Sequence, residues 1–411
     1  MIVFRAFKTE LDLNNSQKTM CVCHAGAARF AYNWGLARKK EAFANGEKTP
    51  SAIDLHRELN VLKKTEFSWM YKVSKCAPQE ALRDLDKAFV HFFRRVKEKK
   101  AGKNIKVGFP CFKSKKNGLG SFRLTGVIHV FEKAIQLPRL GLLRLKERGY
   151  LPTNDVHILS ATVSEKTGRW FVSLQIEMEI PDPLNEQKPV AGVDLGINRM
   201  AQISDGTYFE NPRALKNALT KLKRLQRIVS RRQKGSANCQ KAVKQLARIH
   251  FRVANIRKDA LHQATTYLTK TKSAIVLENL NVSGMLKNHC LAQAISDVGM
   301  YEFRRQLTYK AIWYGCEIVF ANRFYPSTKR CSQCGTTKEI ISLNEREYHC
   351  GTCKLVIDRD LNAAKNLQQL FYLLKQTTAS FAESHACGEH VSPEYQAMFV
   401  EAGTEFESTI G

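Results

Sequence analysis

The chain has 411 residues, long enough for two or three domains that each bury a core of their own. With 44% hydrophobic and 25% charged residues it has the composition of a folded protein, which excludes a disordered or membrane-embedded one. Sixty-five Lys and Arg against 38 Asp and Glu leave a net charge of +27. Such an excess opposes compaction unless a polyanion covers the surface, so nucleic acid is the first candidate partner and an anionic membrane a distant second.

Arg5 and Lys8 interrupt the apolar stretch a signal peptide would need, and no run approaches the roughly 20 apolar residues of a membrane span. A cytoplasmic protein without a membrane partner is expected. Residues 1–12 read as a strand. Ser16 to Asn45 follows as a helix, with Met20, Ala27, Phe30, Ala31 and Leu36 near helical spacing and Gly46 ending it. A second helix, Ser51 to Lys64, precedes a third that starts near Pro78 and carries Leu82, Leu85, Phe89, Phe92, Phe93 and Val96 on one face. These three form a small helical bundle. The dense Gly, Pro and Lys of KEKKAGKNIKVGFPCFKSKKNG read as a basic loop along a phosphate path, with Lys113, Lys115 and Lys116 as candidate contacts, or as a solvated linker. From Ser121 to Ile180, short β-prone runs alternate with turns and predict a small β-barrel or sheet. The first strand has no nearby partner and is expected to join it, with the helices inserted between.

PDPLNEQKP marks a linker into the second half. VAGVDLGI is a buried-type strand, and RMAQIS, the turn Asp205–Gly206 and TYFE follow as consecutive hairpin strands. Two long basic helices come next, about residues 212–232 and 237–270. On the first, Leu215, Leu219, Leu222 and Val229 share a face, and Arg224, Arg227, Arg231 and Arg232 lie among the basic residues that crowd the remainder as candidate nucleic-acid contacts. SAIVLENL is a strand ending in a carboxylate. A helix around Tyr301–Tyr314, the strand CEIVF, a cysteine module and a helix beginning near Asp358 complete the order. Strands first, then alternating helix and strand, is the order of an RNase H-like α/β domain. Beyond about residue 372 one Lys faces six Glu without periodicity. A disordered or loosely docked tail is expected there, with a regulatory acidic arm as the alternative.

Of the 12 cysteines, four show a spacing with chemical meaning: Cys331-Ser-Gln-Cys334, 15 residues, then Cys350-Gly-Thr-Cys353. Two such knuckles present four thiolates to one zinc, and with sulfur at every position no place is left for water, so the zinc is structural. A disulfide framework is disfavoured in a chain of this length without a secretion signal. Arg346, Tyr348 and His349, between the knuckles, either touch nucleic acid or are solvated ribbon residues.

The second constellation is Asp194 in VAGVDLGI, Glu278 at the end of AIVLE and Asp360 in DRDLNAAKN. A charge at the end of an apolar strand is costly unless a cation offsets its desolvation. Carboxylate oxygens suit Mg²⁺ or Mn²⁺, and two such ions about 3.5–4 Å apart activate water and stabilise the leaving oxygen in phosphodiester hydrolysis. Each acid taken singly reads as readily as a strand-end acid or a helix cap. Asp358 is the expected cap of the last helix, which leaves the ligand role to Asp360.

The ordered motifs GVDLGI, IVLENL, YPSTKRCSQCG with YHCGTC, and DRDLNAAKNL resemble those of the TnpB proteins encoded by bacterial and archaeal insertion sequences, to which the type V CRISPR effectors are related. The resemblance is specific from about Val190 to Leu367 and continues more weakly through ARFAYNWGL, ALRDLDKAFVHFF and VGFPCFKSKK. It implies an RNA-guided DNA endonuclease: a transposon-derived guide RNA, bound by the positive surface, pairs with one strand of a double-stranded target beside a short flanking motif, and a RuvC-like site cuts both strands. Carried onto this chain, it implies that Asp194, Glu278 and Asp360 are catalytic and that Cys331, Cys334, Cys350 and Cys353 hold the zinc. Lys75 and Gln79 fall where the family contacts the flanking duplex. The layout implied is a wedge-like β-barrel from 1–12 and 115–185, a helical recognition domain at 13–114, a RuvC-like nuclease from 190–322 and 356–372, a zinc ribbon at 323–355 and a tail at 373–411. A separate transposase is an expected companion. Two other functions fit the same motifs, a non-cleaving nucleic-acid-binding regulator and a transposase that joins DNA ends. A missing acid would mark the first and RNA-independent joining the second.

Overall fold

The computed structural model describes residues 1–153, 156–183, 188–342 and 345–385, and the chain divides into two compact units. The first comprises Met1–Asp182 with Arg232–Arg248. It contains β1 (Ile2–Asp12), α1 (Asn15–Ala44), α2 (Ala52–Thr65), α3 (Cys76–Lys100), β2 (Ser121–Leu124), β3 (His129–Val130), β4 (Ala134–Leu137), β5 (Gly141–Leu145), β6 (His157–Lys166) and β7 (Arg169–Glu179). The strands form one antiparallel sheet in the order β2-β6-β7-β1-β5-β4-β3. β1 lies along β7 from Ile2 opposite Glu179 to Leu11 opposite Trp170, then pairs with β5, so the isolated first strand finds its partners far along the chain. Among the described residues the end strands β2 and β3 are not joined, and the expected barrel is an open sheet in its hydrogen bonding.

Capping boxes start two helices: Asn14 with Gln17 at α1, and Ser51 with Asp54 at α2. α3 starts at Cys76, which puts Pro78 in the first turn, where its missing N–H costs nothing. Gly35 lets the three helices close together, since a Cβ there would stand 2.7 Å from Leu82 Cδ2. The apolar face of α3 is buried over its first half only. Phe93 is 56% exposed and belongs to an aromatic cluster with Phe89, Phe92 and Phe109.

The second unit, Pro183–Arg231 with the residues from Ile249 on, holds a mixed sheet. Its elements are β8 (Ala191–Asp194), β9 (Arg199–Ile203), β10 (Tyr208–Glu210), α4 (Ala214–Arg231), α5 (Ala237–Thr271, of which the residues to Arg248 belong to the first unit), β11 (Ala274–Glu278), α6 (Val282–Met285), α7 (Ala292–Val298), α8 (Met300–Tyr314), β12 (Glu317–Ala321), β13 (Glu347–His349), β14 (Val356–Asp358) and α9 (Arg359–His385). The strand order is β10-β9-β8-β11-β12; β8, β9 and β10 form an antiparallel meander, while β11 runs parallel to both β8 and β12. α5 and α8 cover one face, on Val193, Ile275 and Leu277; α9 covers the other, on Val190, Ala274 and Val276. Residues 373–385, expected in a disordered tail, continue α9: their sequence has no Gly or Pro, and Lys375 pairs with Glu317 at 3.4 Å. The remainder of that expected tail, 386–411, lies outside the described residues.

Lys310 of α8 is 4% exposed and donates to three neutral acceptors on α5: the Thr265 and Thr266 hydroxyls, each at 2.7 Å, and the His262 carbonyl at 3.1 Å. Desolvation pulls its pKa down from 10.5 to about 8. Below that value both folded and unfolded chains carry the charge, and its burial cost is fully present. Between about 8 and 10.5 the unfolded chain binds the extra proton, so stability rises with pH, by roughly 3 kcal/mol in all. Urea unfolding at pH 7 and pH 10.5 should show that rise in the parent and not in Lys310→Met; equal pH slopes would contradict the buried-charge account.

Candidate active site and metal centre

Strand parity determines which way the acids face. Successive residues of a strand point to opposite sides, so Val190, Gly192 and Asp194 share the α9 face of β8, and Ala274, Val276 and Glu278 share it on β11. The two strands run parallel with Leu277 beside Val193, which sets Asp194 and Glu278 next to each other at the same end of the sheet. α9 is drawn onto β8 at Gly192: a Cβ there would run into the Ala364 carbonyl and stand 2.9 Å from Leu367 Cβ. Two residues of strand span about 6.6 Å and four residues of helix about 6 Å. Asp360, one turn before Ala364, is therefore carried to the level of Asp194.

The electrostatics record the same convergence. Burial, then the negative charges of Glu278 and Asp360, push the Asp194 carboxyl well above the usual carboxylate range; Arg359 opposes the shift and Asp358 adds to it. Asp358 is otherwise engaged. It caps α9, accepting the Asp360 and Leu361 N–H groups at 3.0 Å each, and pairs with Arg199 at 3.2 Å. Arg359 lies 3.7 Å from Asp360. Glu278 accepts a hydrogen bond from the Ser327 hydroxyl. The three acids are gathered without closing tightly. Among the described residues, only the four cysteines bring three or more candidate ligand atoms within 4.8 Å of one another.

Those cysteines are Cys331, Cys334, Cys350 and Cys353, with Sγ separations of 3.6 Å between Cys331 and Cys353 and 3.5 Å between Cys334 and Cys350. Thiolates at about 2.3 Å from a tetrahedral zinc lie about 3.8 Å apart, so the set fits that ion with little adjustment. Backbone bonds shape each knuckle: Cys331 N–H to the Thr336 carbonyl, Gly335 N–H to the Cys331 carbonyl and Cys350 N–H to the Leu355 carbonyl. Tyr348, open on sequence grounds as a nucleic-acid contact, is the buried centre of the ribbon, its hydroxyl donating to the Lys329 carbonyl at 3.1 Å.

The basic candidates are dispersed. Lys75 immediately precedes α3 and is exposed, with Gln79 half-buried one turn on. Lys113 is exposed yet engaged within the protein, its backbone exchanging hydrogen bonds with the Asn33 side chain and its ammonium lying 3.9 Å from the Tyr32 ring centroid. Lys115 and Lys116 sit exposed on a short 3-10 turn. Arg224, Arg227 and Arg231 are exposed along α4, while Arg232 donates to the Asn238 carbonyl just beyond it. Residues that the sequence reading passed over are Ser327, Arg359 and Gly192. Only Gly192 carried a local signal, a glycine inside a buried strand, which marks a close backbone approach.

Acidic strand ends under the start of a helix, beside a four-thiolate ribbon in a strongly basic chain, define an enzyme acting on nucleic acid. Residues 173–289 match a family described as "Probable transposase", and residues 301–367 match one described as "Cas12f1-like, TNB domain". Residues 1–48 match a "Helix-turn-helix domain", though here they form β1 and the single long helix α1. A Streptomyces pristinaespiralis protein named "Putative RNA-guided DNA endonuclease" is 35% identical over 405 residues, covering 96% of this chain and 94% of its own. An Escherichia coli K12 protein, "Putative RNA-guided DNA endonuclease InsQ", is 33% identical over 381 residues, 88% and 91% of the two chains. The chain belongs to this TnpB family of RNA-guided DNA endonucleases. The solved structure of the mini RNA-guided endonuclease CRISPR-Cas phi3 aligns over 89% of this chain and 92% of that one, at 9% identity and a TM-score of 0.48. No helix among the described residues is long and apolar enough to cross a membrane.

Proposed function

We propose that the protein is an insertion-sequence RNA-guided DNA endonuclease whose cutting centre is Asp194, Glu278 and Asp360. One observation carries the assignment of these residues: the parallel pairing of β8 and β11 sets Asp194 and Glu278 side by side at one sheet end, where α9 packs on Gly192, and the charges of Glu278 and Asp360 both raise the proton affinity of the Asp194 carboxyl, with Arg359 opposing. A site so crowded with negative charge favours hard cations, Mg²⁺ or Mn²⁺. When bound, a pair of such ions supplies an activated water and a counter-charge for the leaving oxygen. The chain contributes rigidity, holding Asp194 and Glu278 on hydrogen-bonded strands and Asp360 in the first turn of a capped helix. The meander followed by parallel strands supports a RuvC-like, RNase H-type sheet for 190–322 and 356–372, interrupted by the ribbon at 323–355. On this reading the β-sheet of 1–12 and 115–185 is the wedge-like domain and 13–114 the recognition domain, with Lys75 and Gln79 against the flanking duplex. The guide comes from the transposon end and is held by the basic surfaces, including Lys115, Lys116 and the α4 arginines.

Programming tests the proposal. Exchanging the guide segment of the copurifying RNA should move cutting to the newly matched sequence in the presence of Mg²⁺. RNA-free protein that cuts as well, or that joins transposon ends, would replace this reading by that of a transposase.

A further inference from the structure

Glu278 is held from outside its own strand. Ser327, 2% exposed in the loop leading into the ribbon, donates its hydroxyl to Glu278 Oε1, which leaves Oε2 for another partner. That loop is itself fixed to α9. The fully buried Asn366 amide donates to the Ser327 carbonyl at 2.8 Å and to the Arg330 carbonyl at 2.6 Å. Asn362, one turn earlier and equally buried, donates to the Arg330 carbonyl at 2.7 Å and accepts the Ser332 N–H at 2.9 Å. The Tyr325 hydroxyl closes the set on the Asn366 carbonyl at 3.1 Å. Asn is a poor residue for a helix interior, and these two are held there by hydrogen bonds at both groups of Asn362 and at the NH2 of Asn366, whose buried Oδ1 has no partner among the described residues. Two at i and i+4 therefore make a fixed joint between α9, which carries Asp360, and the chain on either side of Cys331.

We infer that Ser327 is a positioning residue for the carboxylate centre: held in place by the Asn362 and Asn366 joint, it fixes the Glu278 rotamer for divalent-ion binding. The inference rests on the proposal that Glu278 is an ion ligand. An unrestrained glutamate samples several rotamers, most of which turn its oxygens away from any one point. Removing a hydrogen-bond partner of a metal ligand typically costs about 10- to 100-fold in affinity.

The test uses the full chain with its guide RNA, comparing the parent with Ser327→Ala, Ser327→Cys and Glu278→Ala. Mn²⁺ binding is read by electron paramagnetic resonance, alongside the Mg²⁺ dependence of cleavage, zinc content and melting temperature. Ser327→Ala should bind Mn²⁺ about 10-fold more weakly and need correspondingly more Mg²⁺ for half-maximal cutting, while zinc content and melting stay at the parent's values. Ser327→Cys, which keeps a weak donor, should fall between the two. Parental Mn²⁺ affinity in Ser327→Ala overturns the inference, and so does loss of zinc or early melting, which would make the residue merely structural. Glu278→Ala separates the two levels: if it still binds Mn²⁺ and cuts, the catalytic assignment itself is wrong, whatever Ser327 does.

Discussion

Asp194→Ala should leave guide-RNA binding intact and lower Mg²⁺-dependent cleavage of a matched target by roughly 10⁴-fold, the size of loss seen when one member of an interdependent catalytic set is removed. The reason lies in its position. Asp194 ends the central strand β8, with β11 beside it and the start of α9 above, so no neighbouring side chain can take its place without moving the sheet. By contrast, an exposed lysine such as Lys115, if it touches the guide as proposed, would contribute one phosphate contact among many, and its removal should cost less than tenfold in affinity. Gel-shift binding to the guide and single-turnover cutting measured on the same preparation distinguish the two kinds of loss. A variant that still cut at the parental rate would remove Asp194 from the centre.

Removing the zinc should have the second large effect. The ribbon's buried core is Cys331, Tyr348 and Cys350, with Ile341, Leu355 and Ile357 partly covered, far too little apolar surface to fold a module of this size alone. The metal must supply the difference, about 10–16 kcal/mol of apparent binding free energy in comparable sites at neutral pH. Cys350→Ser should therefore lose its zinc, expose the amides of the ribbon to hydrogen exchange and abolish cutting. The seven-stranded sheet of the first unit, with its own core, should keep its protection. Retention of one zinc per chain, or an unchanged exchange pattern in the ribbon, would count against a four-thiolate structural site.

Much of this was legible because the relevant signals are local. The knuckle spacing shows directly in the sequence. Asp194 and Glu278 stand out as charges ending apolar strands, and Asp358 as a cap preceding a helix. The first strand's need for a distant partner followed from its isolation. What could not be read depends on contacts between segments remote in sequence. Whether a sheet closes depends on how its end strands meet, and β2 and β3 carry no local mark of that. Ser327 lies 49 positions from Glu278, and nothing in YPSTKR separates a buried hydroxyl from a solvated one. Tyr348 lay between charged neighbours and looked exposed, yet the ribbon needed one large side chain inside. The apolar face of α3 looked continuous, but full burial stops after Leu85: Phe89 is only partly buried against the core, and Phe92 and Phe93 cluster with it and with Phe109.

The parallel pairing of β8 and β11 also acts as a ruler on how this chain can change through descent. Losing one residue from either strand would turn its terminal acid to the opposite side of the sheet, away from α9. The hairpin bend at Gly206 can lengthen or shorten without moving either acid. Insertions and deletions are thus confined to bends and connections, and the two strands are left to vary only by exchanging one side chain for another.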